Sequence, residues 1–468
     1  MAIDTHQTIH GGAPIDVTVK GAALKAANED NFAVLPIYDR HIECTPRERI
    51  EAIQLEKLIA QVAWTYEKVP YYRSQMDEMG VAPSDIKTLA DVRKLPFTDK
   101  RALRDTFPFG MFAVPMDEVV ELHSSSGTTG KPIVVGYTPD DMDVWSDCIA
   151  RLVQMAGVVP GDICQMAFGY GMFTGGFGLH YGLQKLGCTM IPAGSGNTER
   201  HIQMIEDYGT TVLIATPSYA MHICEVGEKM GYDWESSTLR VGLFGGEPCP
   251  QGLKEEIERR MHIVCTDNYG LTEVMGPGVS GECLAERYQQ HIAEDHFLWE
   301  VVDPETGEPV PEGEMGELVL TPLDKQAIPV LRYRTHDLTR VFTDPCKCGR
   351  THARMQKVRA RCDDMLIIRG TNVFPSQVED VLTGIDEVTT HYHIVVDTVN
   401  GMDSMVVETE LRPEAFSDSF ETMNAIKTKI AEKLKGTLLV GVGVKLVEPG
   451  GIERAMGKAK HVTDLRKK

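Results

Sequence analysis

The stretch Ser124–Thr138, SSSGTTGKPIVVGYT, puts hydroxyls, glycines and one lysine into a single bend. Glycine lets a backbone approach a ligand closely and adopt positive φ. Successive N–H groups in such a bend can cradle an anion, and Lys131 adds a point charge. The common phosphate loop, G-x-x-x-x-G-K-[ST], does not fit. Gly127 and Gly130 are separated by only two residues, and Pro132 follows Lys131. The bend therefore reads as a phosphate-holding loop of another design; its bland alternative is a Ser/Gly linker with an incidental lysine. A second constellation is DPCKCGRTH, residues 344–352. Two thiols beside a glycine turn suit a metal clip better than a disulfide in a reducing compartment. Tetrahedral closure of Cys346 and Cys348 needs two more ligands. Cys283 and His291 are the first candidates, with His352 or Cys265 as their replacements. The expectation is structural zinc; the alternative is two cysteines without metal.

The surrounding pattern says what must position these groups. The chain has 468 residues, 42% hydrophobic and 25% charged, an ordinary globular composition. Its formal net charge of −21 argues against general nucleic-acid or anionic-membrane binding. The first residues, MAIDTHQTIHGG, carry neither the basic nor the apolar region of a secretion signal. Eleven scattered cysteines form no disulfide framework. A cytoplasmic protein without membrane spans is the expectation. Residues 1–40 carry no clear signal. Apolar spacing predicts a helix from Pro46 to about Met79, ended at Pro70-Tyr71-Tyr72. From 140 to 260 helices alternate with short apolar strands, including TVLIATP and VGLFGGEP, which predicts a parallel sheet with ligand loops at its strand ends. Residues 297–345 are β-rich, and a new alternation starts near 364. The boundary this places predicts two domains, 1–362 and 363–468.

Taken in order, these loops resemble those of the adenylate-forming superfamily of acyl-CoA synthetases, adenylation domains and luciferases. More narrowly the chain resembles the phenylacetate–CoA ligase branch. The matching segments are SSGTTGKP at 125–132, GYGMFTGGFGLHYG at 169–182, FGGEP at 244–248, DNYGLTEVMGPGV at 267–279, YRTHDLT at 333–339, CDDMLIIRGTNVFPSQVE at 362–379 and GKAK at 457–460. One departure precedes the hinge, where Arg359-Ala360-Arg361-Cys362-Asp363 stands in place of Gly-Arg-x-Asp. The first forty residues have no assignable counterpart.

The resemblance implies an α/β N-terminal adenylation domain with a β-rich subdomain, and a small, mobile α+β C-terminal domain carrying a catalytic lysine. It implies two half-reactions: a carboxylate attacks the α-phosphate of ATP, and a thiol then displaces AMP. Ser124, Ser125, Ser126, Gly127, Thr128, Thr129, Gly130 and Lys131 would hold phosphates. Gly246, Glu247, Pro248, Asp267, Asn268, Tyr269 and Gly270 would line the nucleotide, with Tyr269 against adenine. Asp337 and Arg361 would meet the ribose side. Lys458, Glu273 and Thr272 would act in catalysis, Glu273 also holding Mg²⁺. Phe168, Tyr170, Gly171, Met172, Phe173 and Gly245 would shape a flat aromatic acid pocket, with Phe177, Gly175 and Gly176 beside them. Asp363 would be the hinge.

The expected activity is formation of an aryl-acid CoA thioester, phenylacetate first, with indoleacetate or a benzoate as other acids. ATP, Mg²⁺ and coenzyme A are the implied cofactors, and a homodimer the implied assembly. The rival enzyme loads an acyl-carrier protein, which also presents a pantetheine thiol. The rival outside catalysis is a nucleotide-binding scaffold, against which Glu273 and Lys458 count.

Overall fold

The computed structural model describes residues 35–125, 132–358, 360–399, 402–417, 419–454 and 461–466. The first elements are α1 (Arg40–Glu43), α2 (Arg47–Lys68), α3 (Pro70–Met79) and α4 (Lys100–Asp105). Pro70 opens α3; it does not end the helical stretch. Val69 stands extended between the two helices, and Pro70 takes the first helical position. There its missing N–H costs nothing and its fixed φ already suits a helix. Gly80, at φ 67, then closes α3 in a left-handed cap. The paired strands β1 (Glu121–Ser124) and β2 (Val134–Tyr137) follow, with Ser124 opposite Val134, so the Ser/Gly segment falls between two strands that meet.

Next come α5 (Pro139–Met155), β3 (Ile163–Met166), α6 (Thr174–Leu186), β4 (Thr189–Ile191), α7 (Thr198–Tyr208) and β5 (Val212–Ala215). They are followed by α8 (Pro217–Met230), β6 (Val241–Phe244), α9 (Gln251–Met261), β7 (Val264–Leu271), β8 (Gly276–Cys283) and β9 (Glu286–Ile292). The glycine-rich segment 169–182 is thus a loop followed by a helix. Its later glycines serve packing: a Cβ on Gly178 would lie 2.3 Å from Trp145, and one on Gly182 2.2 Å from Ile149. Helix α6 therefore presses its backbone onto α5.

The remaining strands of this part are β10 (Phe297–Val302), β11 (Gly316–Pro322), β12 (Tyr333–Thr339), β13 (Val341–Phe342), β14 (Arg354–Gln356) and β15 (Ala360–Arg361). The nine-stranded sheet runs β13-β14-β9-β8-β7-β6-β5-β3-β4. From β7 to β4 neighbouring strands are parallel; from β7 to β13 they are antiparallel. Strand β7 is the seam between the two halves. Strands β10, β11, β12 and β15 form a separate antiparallel sheet.

The last unit holds β16 (Leu366–Ile368), β17 (Thr371–Val373), α10 (Pro375–Thr383), β18 (Val388–Val399), β19 (Met402–Leu411), α11 (Phe420–Leu438), β20 (Gly443–Val447) and β21 (Val462–Asp464). It closes its own core, from Leu366 through Ile394, Val407 and Ile430 to Val444. Ion pairs of Glu225 with His391 (3.4 Å) and Arg454 (3.6 Å), and of Glu256 with Arg412 (3.6 Å), tie it to α8 and α9.

Candidate active site

Parallel strands deliver their C-terminal ends to one edge of a sheet, and ligand loops gather there. Here β3, β5, β6 and β7 end at Met166, Ala215, Phe244 and Leu271, and the predicted loops follow each of them. After β6, Gly246 takes φ 81, and the Phe168 ring lies 3.5 Å from where its Cβ would be. The Phe168 loop and the Gly245-Gly246-Glu247-Pro248 loop therefore touch. Gly246 and Pro248 are exposed, Glu247 partly so.

The strongest cluster spans both sheets. The Tyr269 hydroxyl, from β7, donates to Asp337 Oδ2 at 2.6 Å. Arg361 lies opposite Asp337 in the β12–β15 register and donates to its Oδ1 at 3.0 Å. Burial first, then the Asp337 charge, pushes the Tyr269 phenol well above its usual range, so it stays a donor. Arg334, a plausible rival partner for Asp337, goes instead to Glu317. His336 takes φ 62, and its N–H bonds Glu317 Oε1 at 3.0 Å. A left-handed kink at a non-glycine residue beside Asp337 is local strain of the kind binding sites hold. Arg361 also grips Asp363 through two bonds, 2.9 and 3.0 Å. The last residue of the β10–β15 sheet is thereby joined to the first turn after it.

Glu273 sits in the β7–β8 turn, buried, 3.0 Å from Lys100 Nζ at the start of α4. A buried carboxylate facing a half-exposed ammonium is an anionic oxygen already held toward a cation. That donor suits Mg²⁺, which binds through one or two carboxylates plus substrate phosphates. Thr272 Oγ1 meets Thr174 Oγ1 at 3.1 Å, joining this turn to the start of α6. Ser124 donates its N–H to Met172 O at 2.8 Å, and Ser125 exchanges bonds with Ile133. These hold the base of the Ser/Gly segment against the Met172 segment. Ser126, Gly127, Thr128, Thr129, Gly130 and Lys131 lie outside the described residues, as does Lys458.

The residues expected to shape the acid pocket differ in their exposure. Tyr170 donates to or accepts from His180 Nδ1 at 2.8 Å and packs edge-on against Phe177. A Cβ on Gly175 would meet open space, and one on Gly171 the Phe173 ring at 3.9 Å. Met172 and Phe173, however, are about half exposed. Behind this segment lies a buried aromatic cluster: Tyr137 stacks on Trp145 at 4.8 Å, with His123 and Tyr181 edge-on to Trp145. Sequence reasoning missed these, and also Lys100, because they lie on other elements and carry no motif of their own.

Of the β7 residues, Asn268 bonds Phe244 O and fixes the seam to β6. Asp267 pairs with Lys357 at 3.1 Å in a buried network with Glu282 and Lys254. Burial opposes the Lys357 charge, but Asp267, Cys249 and Glu282 outweigh it and raise its pKa. Glu247 accepts the N–H of Ser218 at 2.8 Å. Gly270 backs against the Gly276 carbonyl across the hairpin. At the opposite end of β8, the ligand-type atoms of Cys283, His291, Cys346 and Cys348 lie within 4.8 Å of one another, all buried. His352 directs Nδ1 to Ile292 O and stays outside that group, as does Cys265.

Two family models match: AMP-binding enzyme over residues 22–321, and AMP-binding enzyme C-terminal domain over 370–466. The chain belongs to the AMP-binding enzyme family. The first match begins well inside the segment 1–40 that had no assignable counterpart. Within the family the chain is 46% identical to the phenylacetate-coenzyme A ligase of Thermus thermophilus, over 92% of this chain and 100% of that one. It is 44% identical to the enzyme of the same name from Escherichia coli, over 91% and 97%. Among solved AMP-binding structures, 2-hydroxyisobutyryl-CoA ligase with R3-HIB-AMP in the postadenylation state matches at TM-score 0.86, with 27% identity over 93% of this chain and 94% of that one. The same ligase in its thioesterification state, with 2-HIB-AMP and CoA, matches at only 0.69, over 94% and 95%. Among the described residues no helix is long and apolar enough to cross a membrane.

Proposed function

We infer that this protein is an AMP-forming aryl-acid–CoA ligase acting on phenylacetate: phenylacetate + ATP + CoA gives phenylacetyl-CoA, AMP and pyrophosphate. The observation that carries the reading is the Tyr269–Asp337–Arg361 cluster beside the Glu273 turn, in a chain this similar to phenylacetate-coenzyme A ligases along nearly its whole length. A carboxylate oxygen attacks the α-phosphorus and pyrophosphate leaves. The thiol sulfur then attacks the acyl carbon, its proton is lost, and AMP leaves. Little covalent chemistry falls to the protein, so positioning and charge stabilisation carry the rate. Tyr269 presents a ring face to adenine, and Asp337 accepts from the ribose hydroxyls. Residues 124–131 wrap the phosphates. Glu273 holds Mg²⁺, which supplies charge neutralisation on the phosphates when bound. Thr272 positions this turn. Tyr170, Phe177 and the Trp145 cluster seat the aryl ring.

Residues 1–362 and 363–468 act as two domains in this reading, turning about Asp363, and Lys458 serves the first half-reaction alone. The protein is cytoplasmic and homodimeric, and zinc is its structural metal, away from the chemistry. Pyrophosphate exchange into ATP that depends on phenylacetate, and AMP release that depends on CoA, test the reading. Exchange with indoleacetate or benzoate but not phenylacetate reassigns the acid; AMP release that requires a pantetheinylated carrier protein in place of CoA reassigns the acceptor.

A further inference from the structure

The loop after β6 is exposed at Gly246 and Pro248, so other groups must hold it where a nucleotide can meet it. Asn268 bonds Phe244 O at its start, and Glu247 accepts the Ser218 N–H in its middle. Its end is held from further along the chain. Lys357 Nζ donates to the carbonyl of Cys249 at 2.8 Å, just before the Pro250 cap of α9. An ammonium has three donors and no acceptor. The remaining donors of Lys357 face Asp267 Oδ2 at 3.1 Å on β7 and Glu282 Oε1 at 3.8 Å on β8. The Lys357 side chain is 18% exposed and both carboxylates less, so water competes little for these bonds. The backbone at Lys357 is fixed as well. Gln356 donates its N–H to Arg340 O at 2.8 Å and accepts the Thr339 hydroxyl on its own carbonyl at 2.6 Å. Thr339 ends β12, two residues past Asp337. Val358 packs on the main core, and Arg361 then returns to Asp337 at 3.0 Å. Lys357 thus joins a backbone locked to the Asp337 strand with the carbonyl that ends the Gly245–Pro248 loop.

We propose that Lys357 is a positioning residue that sets the span between the 245–249 loop and Asp337, so that adenine and ribose are engaged together. The proposal rests on the ligase reading only in taking these two elements as the nucleotide site. Lysine is a point charge on a flexible stem, and here acceptors from three chain segments fix its head. Removing the ammonium frees the Cys249 carbonyl while every group expected to meet the nucleotide remains. The Lys254–Glu282 pair lies between α9 and β8 and provides a control. Lys254 Nζ goes to Glu282 and to Arg287 O, so this pair shares the buried charges without holding Cys249 O.

Binding of ATP with Mg²⁺ to the full-length protein, measured by calorimetry without acid or CoA, tests this apart from the reaction. Lys357→Met should raise the ATP Kd about tenfold, the worth of one charge-assisted hydrogen bond. The preference for ATP over 2′-deoxyATP should shrink with it, because the loosened loop no longer brings the ribose onto Asp337. The phenylacetate KM in pyrophosphate exchange should stay within about twofold of wild type. Lys357→Met leaves Asp267 and Glu282 without their shared cation, at a cost in stability. The Lys357→Met/Glu282→Gln double variant retains Lys254 and Asp267, so the cluster stays neutral, and it should show the same ATP defect. Glu282→Gln alone should bind ATP as wild type does. An unchanged ATP Kd in the double variant overturns the proposal. So does a Glu282→Gln defect as large as that of Lys357→Met, or an ATP defect that leaves the preference over 2′-deoxyATP intact. Wild-type protein that binds ATP but exchanges no pyrophosphate with an aryl acid defeats the ligase reading, while the ATP comparisons still decide the role of Lys357.

Discussion

The two ends of the β7–β8–β9 sheet segment follow opposite rules. Around the β7–β8 turn, oxygen donors and hydroxyls sit beside the strand-end loops and hold partners of their own: Glu273 a half-exposed lysine, Asp337 a tyrosine and an arginine. At the far end, and along the strands between, the polar groups are largely buried and meet one another inside the protein: three cysteines with a histidine, and Lys254 and Lys357 with Glu282 and Asp267. The same hairpin offers hard donors beside the strand-end loops and soft or paired ones where the core must hold. Partners at the open end can be exchanged for substrate; those at the closed end cannot be removed without leaving a buried charge or thiol.

The closed end gives the largest expected effect. Glu282 pairs with Lys254 and accepts the Asp267 N–H at 2.8 Å, and burial holds its carboxyl above the usual range. Lys254 and Glu282 are almost entirely buried. Glu282→Gln removes one partner of a buried pair and should cost about 3–5 kcal/mol of stability. Denaturant unfolding measures it, with ligase activity of the surviving folded fraction near wild type. A loss of activity without a loss of stability would place Glu282 with the open end.

At the catalytic end the effects should fall on rate and affinity. Lys458→Ala should slow acyl-adenylate formation about 10²-fold or more, through loss of a placed charge. Thioester formation from synthetic phenylacetyl-adenylate should stay close to wild type. Equal losses in both half-reactions, measured by stopped assay, would break the assignment to the first. Asp337→Asn keeps the shape but loses the charge that Arg361 and Tyr269 share; the KM for ATP should rise about tenfold, the worth of one charge-assisted hydrogen bond. An unchanged KM with lowered stability would make Asp337 structural.

The open end was far more legible in the sequence than the closed one, with a physical reason. The candidate ligand loops are contiguous: 124–131, 245–248 and 267–273 each carry several groups within one turn, so the first stands out by its own residues and the other two through the resemblance. The strand edge that gathers them follows from alternating helices and strands, as expected. Lys100 and Trp145 reach the site from other elements and bear no local signal. The buried network is harder still, since Lys254 on α9, Glu282 on β8 and Lys357 after β14 look like ordinary surface charges until the sheet order is known. Pro70 and the 169–182 glycines show the same limit. Both mark a special backbone position, but only packing decides whether it starts a helix, ends one, or lets two helices touch. The cysteine cluster is the exception at the closed end, because thiols beside a glycine turn are rare enough to announce themselves.

The boundary between the two units offers the finest test, because it belongs to neither end. Glu379, on α10, is pushed up to about 8, first by burial and then by Glu247 and Asp380, with a Tyr392 hydrogen bond working the other way. Glu247 stands at the end of β6, so the repulsion acts across the boundary between the last unit and the nucleotide loops. The folded pKa lies above the unfolded one, so Glu379 contributes stability that is fully present below the ordinary carboxylate range. That contribution is lost as pH rises toward 8 and is constant above it. Raising pH from 6 to 9 should therefore loosen this boundary, by about 1 kcal/mol once solvent at its rim is allowed for. Ion pairs of Glu225 with His391 and Arg454 hold the same boundary. Glu379→Gln isolates the Glu379 contribution, since glutamine keeps the hydrogen bond to Tyr392 without the charge. Hydrogen exchange of α10 and β18 at the two pH values is the measurement. Faster exchange at pH 9 in the wild type, reduced in Glu379→Gln, is the expected result. An equal rise in both proteins would remove Glu379 from the boundary.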